Sequence, residues 1–464
     1  MEGREWQVGV ALEGDMESTP RQESMRTTLQ RIRATAEADR HVRFTSLAHH
    51  ITVEALREAW QGIQKGGAAG VDGVTARQYA EKLEENLREL HERLRTKQYR
   101  PEPVRRAYIP KADGSRRPIG VPALEDKIVQ RAVARLLGAI YEVDFLDFSY
   151  GFRPRRSPHQ ALEALTRALL KGKVNWVLEI DIRSFFDTVD RGWVMRFLGH
   201  RIADRGIHRL IARWLRAGVM EEGKVTDPEM GTPQGGSISP MLANLYLHYA
   251  FDLWVERIVR PRLRWQMYAI RYCDDIVVCF QHREDAQRVH EALKERLNKF
   301  GLELHPEKTR LLEFGRFAAQ SRKRRGEGKP ETFNFLGFTH ICSQSKRGQF
   351  LVKRKPMRER MKRAMLRVAA WCRIHRHEEV GRQHAYLVAA LRGVYQYDGV
   401  RGSHDVLEKL RHHAIHSWRK WLGRRSEKGR LIWRRYYGVL RKYPLPQVVM
   451  PHVRTQMSLA LSRT

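Results

Sequence analysis

The chain has 464 residues, 42% hydrophobic and 30% charged, with a formal charge of +33 and a pI near 10.4. That length supports roughly two to four domains with real cores. No run of about eighteen apolar residues offers a membrane span, and the opening MEGREWQVGV lacks the apolar stretch of a signal peptide. The four cysteines, Cys273, Cys279, Cys342 and Cys372, form no CxxC pair. Neither a zinc site nor a disulfide framework is suggested, and a reducing cytoplasm is the expected compartment.

The charge is unevenly placed. Arg316 to Thr464 carries +26, whereas the first 315 residues carry +7. A basic solvated surface is one reading, but such an excess repels itself unless an anion neutralises it. A polyanionic partner, nucleic acid first, is therefore expected.

Residues 1 to 45 are polar and Arg-rich with weak periodicity and read as a flexible arm with short helices. A helix is predicted near Thr52–Gln64, then a Gly-rich loop, GGAAGVDG. Thr75 and Gln78 form a capping box, followed at helical spacing by Tyr79, Leu83, Leu87, Leu90 and Leu94. RAYIPKADGSRRPIGV carries Asp113-Gly114, a hairpin turn signal between strand-like runs. Ser157, Pro158 and Gln160 open a helix that Gly172 closes. WVLEIDI (176–182) is a short apolar strand, and AIRYCDDIVVCF (269–280) is two strands around an acidic turn. Glu284 to Phe300 is an amphipathic helix stopped by Gly301. Ala318–Lys329 reads as a basic loop, FNFLGF and GQFLVKR as strands, and the chain after Pro356 as helices. No internal repeat is visible. The order predicts an α+β, palm-like domain with helical extensions.

Two acidic positions carry chemistry. Asp181 ends an apolar strand, and Asp274-Asp275 sits at a tight turn between two more. An Asp-Asp dipeptide alone is usually an exposed turn, but Ala269-Ile270 and Ile276-Val277-Val278 are not the flanks of a solvated loop. A half-buried carboxylate is costly unless paired or metal-bound. Adjacent ones repel, which a divalent cation relieves. Two Mg²⁺ ions about 3.5–4 Å apart can activate a 3′-hydroxyl and stabilise leaving pyrophosphate. Alternating side-chain direction suggests Asp274 as the main ligand and Asp275 as the weaker one.

RYCDDIVVC resembles the YxDD hairpin of reverse transcriptases, and EIDIRSFFDTV their first acidic motif, with Asp181 the metal ligand. IPKADGSRRPIGVPALEDKIVQ, SYGFRPRRSPHQAL, GTPQGGSISPMLANLYL, GLELHPEKTRLL and FNFLGF follow in the order of bacterial group II intron reverse transcriptases. The resemblance covers roughly Ile51 to Val352, and the basic tail resembles the family's thumb and maturase (X) region with looser motifs. It implies a right-hand polymerase: an N-terminal extension (1–50), fingers (51–160), a palm with part of the fingers inserted (161–345), and a thumb and maturase region (346–464). It also implies two Mg²⁺ ions on Asp181, Asp274 and Asp275.

The same resemblance assigns nucleotide-binding roles. Lys111 and Arg117 match a triphosphate-binding pair, the alternative being two solvated charges. Phe186 matches the residue beneath the incoming sugar, where a ring would exclude a 2′-hydroxyl; its alternative is core packing, for which Phe185 is the neighbouring candidate. Gln234 in PQGG matches a residue near sugar and template, and Lys308 in HPEKT a lysine near the phosphates, with a salt bridge as its alternative. Cys273 stands where the family more often has Ala, and no counterpart of the family's Cys-containing nuclease is seen. PQGG argues against diversity-generating enzymes, and no retron-type signature is present.

In the tail, Leu407, Leu410, Ala414, Trp418 and Trp421 share one helical face. Arg419, Lys420, Arg424 and Arg425 lie elsewhere and are candidate RNA contacts; Trp433, Tyr436 and Tyr437 suit either stacking or core. The implied function is an RNA-directed DNA polymerase encoded by a group II intron, cytoplasmic and nucleoid-associated, that also assists splicing and mobility. Its implied partners are intron RNA, an RNA template–DNA primer duplex, target DNA and dNTPs, with no membrane. A host-adapted (CRISPR-associated or defence) reverse transcriptase and a splicing-only RNA-binding cofactor are the alternatives. Intact Asp181, Asp274, Asp275, Lys111, Arg117 and Gln234 speak against the last.

Overall fold

The computed structural model describes residues 25–110, 116–221, 224–226, 235–426 and 431–452, with Pro110 and Arg117 as backbone only. The strands are, in chain order, β1 (Val104–Pro110), β2 (Arg116–Val121), β3 (Trp176–Ile180), β4 (Val219–Glu221), β5 (Lys224–Thr226), β6 (Met267–Tyr272), β7 (Asp275–Phe280), β8 (Arg310–Glu313), β9 (Phe333–Phe335), β10 (Phe338–Gln344) and β11 (Phe350–Pro356). They form three sheets with orders β2-β1-β4-β5, β6-β7-β3-β8 and β11-β10-β9. All pairings are antiparallel except β1 with β4. The expected mixture of helices and antiparallel sheets is thus present.

The central sheet, β6-β7-β3-β8, is apolar on both faces because both are covered. Period-two alternation sends Leu178, Ile180, Ile276, Val278 and Phe280 into the larger core. Val177, Val277, Cys279, Ile270 and Leu312 go to a second core on the opposite face. This explains why IVVC reads as a continuous apolar run rather than an alternating one.

The larger core is organised by the helix Leu124–Asp144, which buries residues around most of its circumference, Ile128, Val129, Ala132, Val133, Leu136 and Leu137 among them. Against it pack the helices Val53–Gln61 and Met25–Ala38. The second of these is a helix of the kind expected in the N-terminal arm, but its packing against the core corrects the expectation of flexibility over its length. Met25, Thr28, Ile32 and Ala36 form a narrow buried seam on an otherwise polar helix. With so little apolar surface, the helix is stabilised by its partner rather than by its own pattern. Both expected capping boxes are present: Thr75 with Gln78 and Ser157 with Gln160, with Pro158 in the first turn. β1 and β2 pair from Arg105↔Val121 to Pro110↔Arg116, as the hairpin reading requires. The turn itself lies outside the described residues.

The basic segment after Ala318 is also corrected, from loop to helix over Ala318–Arg324. Arg325 bonds Glu313 and Glu327, and Arg322 approaches Glu327 and Glu331. These ion pairs organise a segment that has almost no apolar surface.

The tail forms helices Arg358–Ile374, Val380–Asp398, His404–Leu422 and Trp433–Lys442 around a third core. Trp418 is fully buried there and donates to Gln383 Oε1 at 2.9 Å. As the spacing predicts, Leu407, Leu410 and Ala414 are buried with it, while Trp421 is half-buried. The tail is joined to the sheets by Tyr397, whose hydroxyl donates to the Leu336 carbonyl at 3.0 Å. Val400 adds to this junction by entering the second core. Among the described residues, no helix is long and apolar enough to cross a membrane.

Candidate active site

β6 and β7 close on the pair Tyr272↔Asp275, which leaves Cys273-Asp274 as a two-residue turn. Two-residue hairpin turns require positive φ, usually supplied by Gly or Asn. Here Cys273 adopts φ 57°, a conformation that persists only where surrounding structure enforces it. Arg271 does much of that enforcement. Its guanidinium is fully buried and grips both carboxylate oxygens of the equally buried Asp252, Nε to Oδ1 at 2.7 Å and Nη2 to Oδ2 at 2.5 Å. Its Nη1 donates to the Cys273 carbonyl at 3.1 Å and to Asn244 Oδ1 at 3.0 Å. Asn244 in turn donates to the Gly151 carbonyl at 2.6 Å. Gly151 lies against the turn so closely that a Cβ would stand 2.4 Å from the Cys273 nitrogen, so glycine is required there by contact.

Asp252 reaches Arg271 from a locally widened helix, with π-helical turns at His248–Asp252 and Val255–Val259. Such turns re-aim side chains. Burial pushes the nearby His248 imidazole down to about 3, with the Arg271 charge adding to the effect. His248 is therefore neutral at physiological pH, and Arg271 is the cation that balances Asp252. Burial also raises the Cys273 thiol, with the Asp274 carboxylate second, which keeps it protonated.

The register of β3 on β7 then assembles the acids. Ile180 pairs with Ile276, so Asp181 and Asp275 are the next cross-strand positions and point to one face. Both line a cavity of about 470 Å³ with Glu179, Lys308, Arg310, Asn334 and Leu336. The Asp181 backbone is clamped: its amide donates to Thr309 Oγ1 at 3.2 Å, and its carbonyl accepts from the His305 amide at 2.8 Å. Lys308 Nζ lies 3.9 Å from Asp181 Oδ2 and is largely exposed. Burial raises the Glu179 carboxyl, against the opposing effect of Arg310, whose Nη2 bonds it at 2.8 Å. Asp274 is half-buried in the turn, outside the cavity lining, and Asp275 is exposed. The cavity thus pairs Asp181 with Asp275, where the sequence expects Asp274 to be its main partner. Among the described residues, no three His, Cys, Asp or Glu side chains close into a ready metal cluster.

The other expected positions divide. Phe185 is buried and Phe186 half-buried on the short helix Phe185–Thr188, which leaves Phe186 the ring nearer the surface. Lys111 and Gln234 lie outside the described residues. Arg117 is placed as backbone opposite Ile109. In the tail, Arg419 donates to the Leu431 carbonyl at 3.0 Å and stacks 4.3 Å from the Trp433 ring centre. Arg425 donates to the carbonyls of Arg376 and Glu378 at 2.6 and 2.5 Å. Both are half-buried, whereas Lys420 and Arg424 are exposed. Tyr436 is buried, and Tyr437 is 55% exposed.

Sequence reasoning missed Arg271, Asn244 and Asp252. A signal existed: an arginine inside the apolar run AIRYC requires a buried acid. Nothing local said which acid.

Strand ends that gather carboxylates beside a lysine paired to one of them are the arrangement expected of the class of site that handles phosphate groups with the aid of a cation. Comparison with known proteins specifies the class. The model of the reverse transcriptase (RNA-dependent DNA polymerase) family matches residues 109–340, half of the chain, and the protein belongs to that family. It is similar to protein YkfC of Escherichia coli K12, at 36% identity over 266 residues, 49% of this chain and 70% of that one. It is similar also to the group II intron-encoded protein LtrA of Lactococcus lactis, at 38% identity over 191 residues, 41% of this chain and 32% of LtrA. An uncharacterized 91 kDa protein in the cob intron of Schizosaccharomyces pombe is 38% identical over 165 residues, 36% of this chain and 20% of that protein. The chain spans about a third of LtrA's length.

Proposed function

We propose that the protein is a group II intron-type reverse transcriptase that copies intron RNA into cDNA from dNTPs and assists intron splicing and mobility. The observation that carries this reading is the β3–β7 register, which sets Asp181 beside Asp275 and next to the Asp274 turn. In right-hand terms, the central sheet is the palm, residues 51–160 the fingers, and the helices after 346 the thumb and maturase region.

Hard carboxylate oxygens without a closed cage suit Mg²⁺, which retains water and phosphate ligands. Asp181, Asp274 and Asp275 would hold two such ions. When bound, they would activate the primer 3′-hydroxyl and neutralise the leaving pyrophosphate. Lys308, exposed beside Asp181, would reach the phosphates and protonate pyrophosphate. Lys111, Arg117 and Gln234 complete the nucleotide-binding set of this proposal. RNA template, DNA primer, intron RNA and target DNA are its macromolecular partners.

The direct test is single-nucleotide primer extension on an RNA template. Wild-type protein should incorporate dNTPs in strong preference to rNTPs. With Phe186 half-buried at the start of its short helix, Phe186→Val should raise the rNTP/dNTP ratio of kcat/KM by about tenfold or more, the scale of a steric contact worth 1–3 kcal/mol. An unchanged ratio would make Phe186 a packing residue only.

The splicing part of the proposal rests on the tail charge. Each phosphate contact adds about 0.7–0.9 to the log–log salt slope of binding. Replacing the exposed Lys420 and Arg424 by Ala should flatten that slope for intron RNA by about one to two and reduce splicing, with the thermal midpoint unchanged. Arg425→Ala should instead lower the midpoint, because its guanidinium ties the Arg376 and Glu378 carbonyls to the end of the neighbouring helix and its loss leaves Gln383 as their remaining side-chain donor. A wild-type slope in the Lys420/Arg424 variant would show that the charge there serves something else.

A further inference from the structure

The loop before the helix Pro158–Lys171 is strained in two places. Phe152 has φ 55° and Arg155 φ 59°, in the left-handed region where a bulky residue is a true outlier. Neither strain is relieved by burial: Phe152 is 61% exposed, and Arg155 is exposed too. An apolar ring left mostly in solvent at a cost in backbone energy contributes little burial to folding, and strain of this kind clusters at positions where function requires a fixed geometry.

The loop is also held rigidly. Arg153, 7% exposed, donates to the carbonyls of Leu146 and Ser149 at 2.7 and 2.8 Å and to Glu142 at 3.1 Å. The Tyr150 amide donates to the Arg271 carbonyl at 2.8 Å, and the Arg271 amide to the Phe148 carbonyl at 2.8 Å. The Gly151 carbonyl is taken by Asn244, and its α-carbon abuts the Cys273 turn. Phe152 is therefore fixed relative to the carboxylate hairpin through two separate links. Its ring centre lies 6.0 Å from that of Tyr272, at an interplanar angle of 48°, and its backbone amide hydrogen-bonds the Tyr272 hydroxyl.

We propose that Phe152, with Tyr272, forms an aromatic platform that positions the bases of the template–primer duplex beside the carboxylates, and that the strained loop exists to present it. The platform rests on the polymerase reading of the hairpin. Inside the duplex each base already stacks on its neighbours, so the rings meet the end of the stack, whose open π-face a flat apolar ring recognises whatever the base, as a polymerase requires. Exposed Arg155, three residues on, supplies a cation for the neighbouring phosphate. Phe152 is a positioning residue: it touches no reacting atom.

The test exploits the strain. Glycine adopts φ 55° without cost, so Phe152→Gly should fold with an unchanged or raised thermal midpoint. It should nevertheless bind an RNA template–DNA primer duplex about tenfold more weakly, the scale of one lost stacking contact. Because stacking releases no counterions, the loss should be the same at every salt concentration, with the salt slope unaltered. KM for the duplex should rise while KM for dNTP stays at the wild-type value. Phe152→Tyr should restore affinity, and Phe152→Leu should fall between. Wild-type duplex affinity in Phe152→Gly would overturn the platform, as would a weakened Phe152→Tyr whose loss follows a lowered midpoint. Duplex affinity is read without catalysis. A wild-type protein unable to extend a primer would therefore sink the polymerase reading and leave this comparison intact.

Discussion

Asp181→Ala and Asp274→Ala are each expected to abolish Mg²⁺-dependent cDNA synthesis, by about 10³-fold or more, while leaving RNA affinity close to wild type. A cation that neutralises developing phosphate charge contributes several kcal/mol to the transition state, and each 1.36 kcal/mol is about tenfold in rate. The two halves of the prediction separate because the charges are separated. The tail carries +26 of the +33, and the carboxylates stand on the central sheet. Asp275→Ala should be milder. Asp275 is exposed, whereas Asp274 sits in a turn braced from behind by Arg271, Asn244 and Gly151, and a fixed carboxylate is the better ligand. Primer extension on an RNA template, with filter binding of the same RNA, is the measurement. Near-normal extension by Asp181→Ala or Asp274→Ala would remove the carboxylates from the mechanism.

The second large effect is expected at Arg271. Arg271→Met leaves the Asp252 carboxylate uncompensated in a fully buried place. Breaking a buried ion pair from one side costs about 3–5 kcal/mol. Replacing both partners by apolar residues of similar volume is often close to neutral. The double variant Arg271→Met/Asp252→Leu should therefore recover most of the lost stability. It should not recover activity, because the Cys273 carbonyl and Asn244 Oδ1 also lose their donor and the positive-φ turn that holds Asp274 loses its brace. Denaturation of the two single variants and the double variant in one cycle gives the coupling, and primer extension gives the activity. Additive stability losses would show that Asp252 has another partner. Recovered activity would show that the turn holds its shape without Arg271.

Within the candidate site, Asp181, Asp274 and Asp275 were visible because each carboxylate stood against an apolar strand whose length and composition were local. Phe152 was not visible. Its residue type is ordinary, and only its φ and exposure mark it. The tail arginines were read as one group from their shared charge. The structure divides them, because Arg419 and Arg425 happen to lie beside carbonyls of turns elsewhere in the chain, and such carbonyls leave no trace in the sequence near the arginine.

What the sequence by itself determined are the features whose energy is local. Both capping boxes, the β1–β2 pairing and the Trp418 face of the tail follow from side chains within a turn or a strand of one another. What only the tertiary structure decided are the features whose partner is far along the chain. The helix Met25–Ala38 exists because the helix Leu124–Asp144 offers its seam a groove. The segment Ala318–Arg324 is ordered beside acids that include Glu313 and Glu331. Asp181 faces Asp275 because β3 enters the sheet next to β7 in one register, and a slip of one residue would turn it to the other face. Propensity and capping act over a few residues and can be read in order. Burial, register and charge compensation are set by which surfaces meet, and that is a property of the folded chain.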